Sequence, residues 1–457
     1  MQEDSVPLDV IPAALSVEQT AATAQPPGSI EVARAEPVQL LTPGAVPEAD
    51  RIQSIDVLRG FALLGILVMN IQSFSMILAA YENPTAYGNL EGANYWVWFC
   101  SRVFADQKFM TIFSMLFGAG IVLMTSRQEE AQGRSAAVHY RRMGVLALFG
   151  LLHAYLFWLG DILFSYALAG MLAYLLRKLR PLTLIVLGFV SLLVPALLMV
   201  IGGLLVLWLQ SLPAEQQGEM TRHISIEWRP SPERVAAEVA AYQGGWVAEF
   251  KQRWVTALVM QTVIFLFGTL WRSGGLMLVG MGLFKRGVFS AGRSKKFYVI
   301  LIAVALGVGV PIELLGVLVN QQRGWDVQAQ LLNGQFNYWA SILISLGWVG
   351  VVMLWCRQPR PGLLRRALAA VGQMALTNYL LHTLICTTIF YGHGFGYFGQ
   401  VERVGQIEIV LAIWAFQLIL SPIWLHFFRF GPAEWLWRGL TYLRFPPLLR
   451  TQGSWAH

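Results

Sequence analysis

The sequence predicts an all-α polytopic membrane protein, a bundle of about ten transmembrane helices with both termini in the cytoplasm. Three observations predict it. The 457-residue chain is 56% hydrophobic and only 13% charged, whereas soluble domains are about a quarter charged. Apolar runs of roughly 17–25 residues, each long enough to cross a bilayer, recur along it. The basic residues collect in short connectors between those runs, as cytoplasmic loops do under the positive-inside rule. Arg127, Arg134, Arg141 and Arg142 form one cluster; Arg177, Lys178 and Arg180 a second. Lys285, Arg286, Arg293, Lys295 and Lys296 form a third, and Arg357, Arg360, Arg365 and Arg366 a fourth. The formal net charge of +7 is therefore read as topology, with the lipid bilayer as partner and no nucleic acid. Cys100, Cys356 and Cys386 lack metal-ligand spacing and are read as small apolar fillers, so no metal is expected.

Residues 1–50 are rich in Pro, Ala, Val and Glu without periodicity. They carry no basic-then-apolar leader and are read as a disordered tail. It is cytoplasmic because the next span begins beside Arg51 and Arg59. A single transmembrane domain over 51–445 follows, then a cytoplasmic tail, 446–457. Spans are predicted at 56–79, 107–126, 143–159, 162–176, 182–211, 254–284, 297–319, 339–356, 368–391 and 406–429. The segment 254–284 is long for one crossing, and "LWRSGGLMLVG" interrupts it with Arg272 and two glycines, which leaves a broken helix and an extra span both open. "NYWVWFCSRVF", 94–104, is too short to span and suits a helix in the outer interface. The segment 212–252 is read either as an amphipathic lid on the outer face or as a solvated loop. No internal repeat points to inverted symmetry.

Polar residues inside the spans are costly against lipid and are expected to face a shared interior. Arg59 and Asn70 lie eleven residues apart, on one helix face and about 16 Å apart along the axis. His153 comes out about 15 Å into its span, and Glu313 and His382 roughly 20–25 Å into theirs. Asp161 closes the hairpin "FWLGDILF", and Asp106 and Lys108 open a neighbouring span. Each also has a purely structural reading. His153 can tie helices together, Glu313 can bond the carbonyl that Pro311 frees, and Asp161 can cap the following helix. Asp56 with Arg59 can be a helix-start pair at headgroup level. His139 and His457 are read as incidental.

The stretches "RIQSIDVLRGFALLGILVMNI", "DQKFMTIFSMLFGAG", "LLHAYLFWLGDILFSYALAGML" and "VGQMALTNYLLHTLICTTIFYGHGFGYFG" resemble, in order, the signatures of the YeiB-like bacterial membrane proteins. The resemblance covers about residues 51–440 and implies the bacterial inner membrane. The C-terminal half of that family is a domain of unknown function (DUF418). The D-x-x-R-G opening, Asp56 to Gly60, followed by Asn70, is remotely similar to the transmembrane acyltransferases, including lysosomal heparan-α-glucosaminide N-acetyltransferase. Arg59 and Asn70 also match the Arg-x10-His spacing of the acyltransferase-3 group, with Asn in place of His.

That resemblance implies acyl-CoA as donor co-substrate and a small-molecule or envelope-glycan acceptor on the outer face. Arg59 and the inner basic loops would meet the CoA phosphates, with Asp56 beside Arg59 also assigned to substrate or cofactor binding, and Asn70 would hydrogen-bond the thioester carbonyl. His153 would be the base, oriented by Asp161 or Glu313. Asp106, Lys108, Arg272, Asn378, Tyr379 and His382 are assigned to substrate or cofactor binding. One departure stands out: the lysosomal enzyme has a histidine in its first outer loop, whereas "QSFSMILAAYENPTAYGN" has none, so the base must come from elsewhere. Two rival functions stay open, a proton-coupled transporter of a small solute and a non-catalytic membrane scaffold or sensor. A homodimer is also open.

Overall fold

The computed structural model describes residues 52–132, 136–213 and 218–450. The predicted tail 1–50 and the last residues, 451–457, lie outside them. The described residues are helical, with no strand and a single antiparallel bridge, Phe428 to Leu449.

The chain runs through α1 (Gln53–Ser75), α2 (Ala79–Glu82), α3 (Gly92–Phe104), α4 (Lys108–Gln132), α5 (Ala136–Leu156), α6 (Leu163–Leu176) and α7 (Pro181–Ser211). Next come α8 (Gly218–Trp228), α9 (Pro232–Gln243), α10 (Trp246–Val259) and α11 (Leu270–Lys285). The last group is α12 (Lys295–Val304), α13 (Val310–Gln322), α14 (Val327–Cys356), α15 (Leu363–Gln373), α16 (Ala375–Phe390), α17 (Arg403–Phe427) and α18 (Pro432–Tyr442). Each predicted span falls largely on helix. Among the described residues seven helical segments are long and apolar enough to cross a membrane, or eight if α15 and α16 count as one. Of the other expected spans, α6 has only 14 residues. The helix over 143–159 starts earlier, taking in Arg141 and Arg142, and stops at Leu156, so its apolar part is short.

Position in the bundle follows composition. The apolar window of α1 is 72% buried, that of α7 only 28%. So α1 is a central post with small and polar residues, while α7, almost wholly aliphatic, presents most of its surface outward. Glycines set the closest approaches. A Cβ on Gly60 would stand 2.0 Å from the Leu368 carbonyl oxygen, and one on Gly372 2.0 Å from that of Asp56, so α1 and α15 touch backbone to backbone. Gly118 and Gly280 do the same for α4 and α11.

Three local departures from the sequence reading have physical causes. The segment 254–284 is neither broken nor two spans. Trp246–Lys285 is one continuous helical run, wound wider in π fashion at Met260–Thr269. Of its adjacent glycine pair, Gly275 serves contact, since a Cβ on it would lie 2.7 Å from the Gly188 carbonyl oxygen of α7, while Gly274 meets no neighbour within 4 Å among the described residues. The span expected at 368–391 is instead two helices bent by 86° at Met374. The amides this bend exposes at the start of α16 are met by Glu434 of α18, which accepts from Leu376 N (2.6 Å), Thr377 N (3.1 Å) and the Thr377 hydroxyl (2.5 Å). Finally, 212–252 is helical rather than a loop where described, with Ser231 and Pro232 starting α9 as a cap and first-turn pair.

The helices α8 to α10 lie over one end of the bundle. Leu78 N donates to Glu238 there, Gly392 N to Tyr242 O, and the Trp246 indole to Leu156 O. The basic connectors meet at the other end. Arg177 pairs with Glu129, Lys285 reaches the carbonyls of Arg177 and Leu179, and Arg357 those of Ala291 and Arg293.

Candidate functional site

His153 sits on the last turn of α5, whose end is met by Trp246 and Arg253 of α10. Three residues further the chain reverses through "FWLGDILF", which returns Asp161 to the imidazole. Asp161 Oδ1 lies 2.9 Å from His153 Nδ1, and its other oxygen accepts from Phe164 N at 2.9 Å. A carboxylate only accepts, so Nδ1 carries the proton and Nε2 of the neutral ring is an acceptor. The Thr383 hydroxyl of α16 donates to that Nε2 at 2.8 Å. All three side chains are buried. The capping and orienting readings of Asp161 are thus compatible, one oxygen for each. Around the imidazole stand the Tyr379 ring at 5.3 Å and the Trp158 indole at 6.2 Å, edge to face. Phe74 of α1 stacks on Trp158 at 4.1 Å. Asn70 lies one turn before Phe74, half-buried, and its amide makes no hydrogen bond among the described residues.

Asp106, Lys108 and Glu313 form a second assembly. Arg102 of α3 meets Asp106 Oδ2 at 2.5 Å and Glu313 Oε1 at 3.3 Å, and Lys108 Nζ meets Glu313 Oε2 at 3.3 Å. Lys108 Nζ also donates to Asn337 Oδ1 (2.6 Å) and to the Arg102 carbonyl (2.8 Å), and Asn337 Nδ2 donates to Asp106 at 2.8 Å. Two positive and two negative side chains, none more than 11% exposed, close on one another. The turn between α3 and α4, with Gln107 at φ 62°, places Asp106 and Lys108 on the same side. Glu313 is therefore committed to Lys108 and Arg102, and Asp161 is the carboxylate beside His153.

The remaining candidates make their hydrogen bonds to other partners. His382 Nε2 donates to Gln417 Oε1 at 2.8 Å, and Gln417 Nε2 donates to the Asn378 carbonyl at 2.9 Å. Asn378 Nδ2 reaches Ser421 at 3.0 Å and the Val371 carbonyl at 3.2 Å. Together these tie α16 to α17. Arg272 binds Ser341 (2.8 Å) and lies over the Tyr338 ring at 4.1 Å, which ties α11 to α14. At the basic end Arg59 bonds Asp56 at 3.0 Å and leans on the Gly372 carbonyl at 3.4 Å. Arg142 lies within electrostatic range of Arg59 and Arg438, a concentration of positive charge.

The lid has polar anchors that the sequence reading did not single out. Arg253 caps the end of α5 by donating to Phe157 O (2.9 Å) and Leu156 O (2.5 Å). Glu249 accepts from His393 Nδ1 at 2.9 Å. Burial raises the Glu238 carboxyl and the Tyr242 phenol above their ordinary ranges. Thr383, Arg102, Asn337 and Gln417 were missed as well. Arg102 carried a signal, four residues before Asp106 on a helical path; Asn337 and Gln417 carried none.

Comparison with known proteins adds three findings. Residues 283–444 match the family model described as "Protein of unknown function (DUF418)". Over 396 residues, 86% of this chain, the sequence is 33% identical to "Uncharacterized protein YeiB" of Escherichia coli (strain K12), covering 96% of that protein. Over 416 residues, 88% of this chain, it is 30% identical to "Uncharacterized protein YxaH" of Bacillus subtilis (strain 168), covering 96% of it.

Proposed function

The chain belongs to the YeiB-like family, and from that premise we propose that it is a transmembrane acyltransferase. It moves an acyl group from cytosolic acyl-CoA to an acceptor on the outer face of the bacterial inner membrane. One observation carries the reading. His153 is buried under the lid with Nδ1 on a carboxylate and Nε2 facing a hydroxyl, the arrangement in which an imidazole withdraws a proton from an oxygen nucleophile. Asp161 holds the tautomer and stabilises the imidazolium that forms. Asn70, whose amide has no partner among the described residues, is the donor for the thioester carbonyl.

Supporting the topology, the described residues of the four basic clusters gather at the end opposite α8 and α9, where α1 begins and where Trp437 and Thr441 of α18 meet Arg142 and Arg141. With that end cytoplasmic the chain makes about ten crossings, α15 with α16 serving as one, and both termini fall inside. The positive charge around Arg59, Arg142 and Arg438 then faces the cytosol and suits the CoA phosphates. A small molecule or envelope glycan is the acceptor, and a homodimer is compatible with this arrangement.

The test incubates purified protein with radiolabelled acetyl-CoA and an envelope extract, following CoA release and transfer of label. His153→Ala and Asp161→Asn should each lower turnover, by about 10²–10⁴-fold for the lost general base, while leaving folded protein in the membrane. Asn70→Ala should do the same. Wild-type CoA release no greater than that of His153→Ala would overturn the reading. A second reading, proton-coupled transport of a small solute, draws on the buried Arg102–Asp106–Lys108–Glu313 cluster. Uptake into proteoliposomes with no CoA ester present would favour it.

A further inference from the structure

We propose that Thr383 is a covalent carrier, so that acyl transfer passes through an ester on its hydroxyl rather than directly from thioester to acceptor. The inference rests on the acyl-transfer reading above and deepens it. A threonine hydroxyl inside a helix ordinarily bonds back to a carbonyl three or four residues earlier. Its neighbours do so: Thr387 and Thr388 both bond to the Leu384 carbonyl, at 3.4 Å and 2.7 Å. The Thr383 hydroxyl instead crosses to another helix, where His153 Nε2 lies 2.8 Å away and Asp161 fixes the far side of the ring at 2.9 Å. Nucleophile, base and orienting carboxylate in hydrogen-bond sequence are the signature of an activated hydroxyl. A second, independent feature points to a substrate. The Trp158 indole Nε1–H, on a residue only 2% exposed, meets no acceptor among the described residues although it is fully buried. It belongs to the ring that stands against the His153 imidazole. A buried unsatisfied donor costs about 1–3 kcal/mol, and an oxyanion forming beside the imidazole would use it.

The chemistry balances without a further reagent. Thr383 Oγ attacks the thioester carbonyl carbon and its proton passes to His153 Nε2, giving a tetrahedral oxyanion. The C–S bond breaks, and the CoA thiolate leaves with the proton returned from Nε2, so Thr383 carries the acyl ester. An acceptor hydroxyl or amine then gives its proton to Nε2 and attacks the ester carbonyl. The bond between the acyl carbon and Thr383 Oγ breaks, and Oγ regains that proton. Nothing is oxidised or reduced.

The experiment mixes full-length purified protein with radiolabelled acetyl-CoA and no acceptor, quenches it with acid and maps the label. Label should sit on the fragment containing residue 383 and chase onto acceptor when envelope extract is added. Thr383→Val, nearly isosteric, should lose the label, and Thr383→Ser should keep it. Thr383→Cys should carry it as a thioester, cleaved by neutral hydroxylamine where the wild-type ester resists. CoA release with acceptor present while the wild-type protein never carries label would overturn the inference and leave the acyl-transfer reading standing, as would Thr383→Val turning over at the wild-type rate. Absence of CoA release under every condition would remove both.

Discussion

Replacing Lys108 with methionine takes one charge from a buried set of four ion-paired side chains. Arg102 and Lys108 contribute +2 and Asp106 and Glu313 −2, so the cluster is neutral; the variant leaves it at −1. At 3.3 Å, the Lys108–Glu313 attraction is about 5 kcal/mol for an effective dielectric near 20. Desolvating both ions offsets much of that in the intact protein. Once Lys108 is gone, its attraction disappears while the cost of desolvating Glu313 stays, and Oε2 is left buried with only Arg102, at Oε1, still facing that carboxylate. Asn337 and the Arg102 carbonyl also lose the donor that reached them at 2.6 and 2.8 Å. Breaking one side of such a buried pair costs about 3–5 kcal/mol, and Lys108→Met should lose that much in graded denaturation in detergent micelles, followed by tryptophan fluorescence. The double variant Lys108→Met/Glu313→Gln restores neutrality, with Arg102 facing Asp106, and should regain more than half of the loss. A single variant within about 1 kcal/mol of wild type, the range of exposed pairs, would refute the reasoning. A double variant no more stable than the single would do so equally.

Gly372→Ala should separate α1 from α15, because the new Cβ would stand 2.0 Å from the Asp56 carbonyl oxygen; a loss of about 1–3 kcal/mol is expected, and an unchanged melting temperature would count against it. Arg253→Met should uncap the α5 carbonyls of Leu156 and Phe157 and loosen the lid, so limited proteolysis within 231–259 should accelerate; an unchanged cleavage pattern would show that the lid is held elsewhere. Glu434 titrates outside the spans. Burial raises its carboxyl above the ordinary range despite the amides that meet it. The folded state therefore binds the proton more tightly than the unfolded one, and the stability Glu434 contributes is fully present below the unfolded value. It is lost as pH rises through the folded one. Glu434→Gln should flatten that fall in a pH series of melting temperatures, and an identical slope in both proteins would exclude the assignment.

Much of the fold was legible in the sequence because bilayer crossing imposes length and apolarity on each segment separately. The run from Pro181 to Ser211 is helical because a long, mostly apolar segment in hydrocarbon has to satisfy its backbone groups within itself, and the basic clusters mark connectors because charge is costly in that same solvent. The site was legible only in part. His153 and Asp161 were both conspicuous, ionisable groups in apolar surroundings, and the short hairpin between them brought them within reach. Glu313 was equally conspicuous, yet its partner depends on how α13 rotates against α3 and α4, which no spacing along one helix encodes. Thr383 was overlooked beside His382 because a threonine in an apolar helix ordinarily satisfies itself.

The sequence by itself determined that this chain is a multi-helix membrane protein with charge segregated to its connectors, since both properties are sums over single segments in a uniform solvent. The tertiary structure alone decided which polar groups meet. It divided them into a histidine relay under the lid, a neutral cluster of four charges, and a strip joining α16 to α17. The physical reason is that a buried polar group is satisfied by whichever helix approaches, and that approach is set by shape. Glycines at 60, 118, 280 and 372 allow backbones to touch, and a bend of 86° at Met374 lays α16 across the end of α15. Only when those contacts are made does the hydroxyl of Thr383 arrive at the nitrogen of His153.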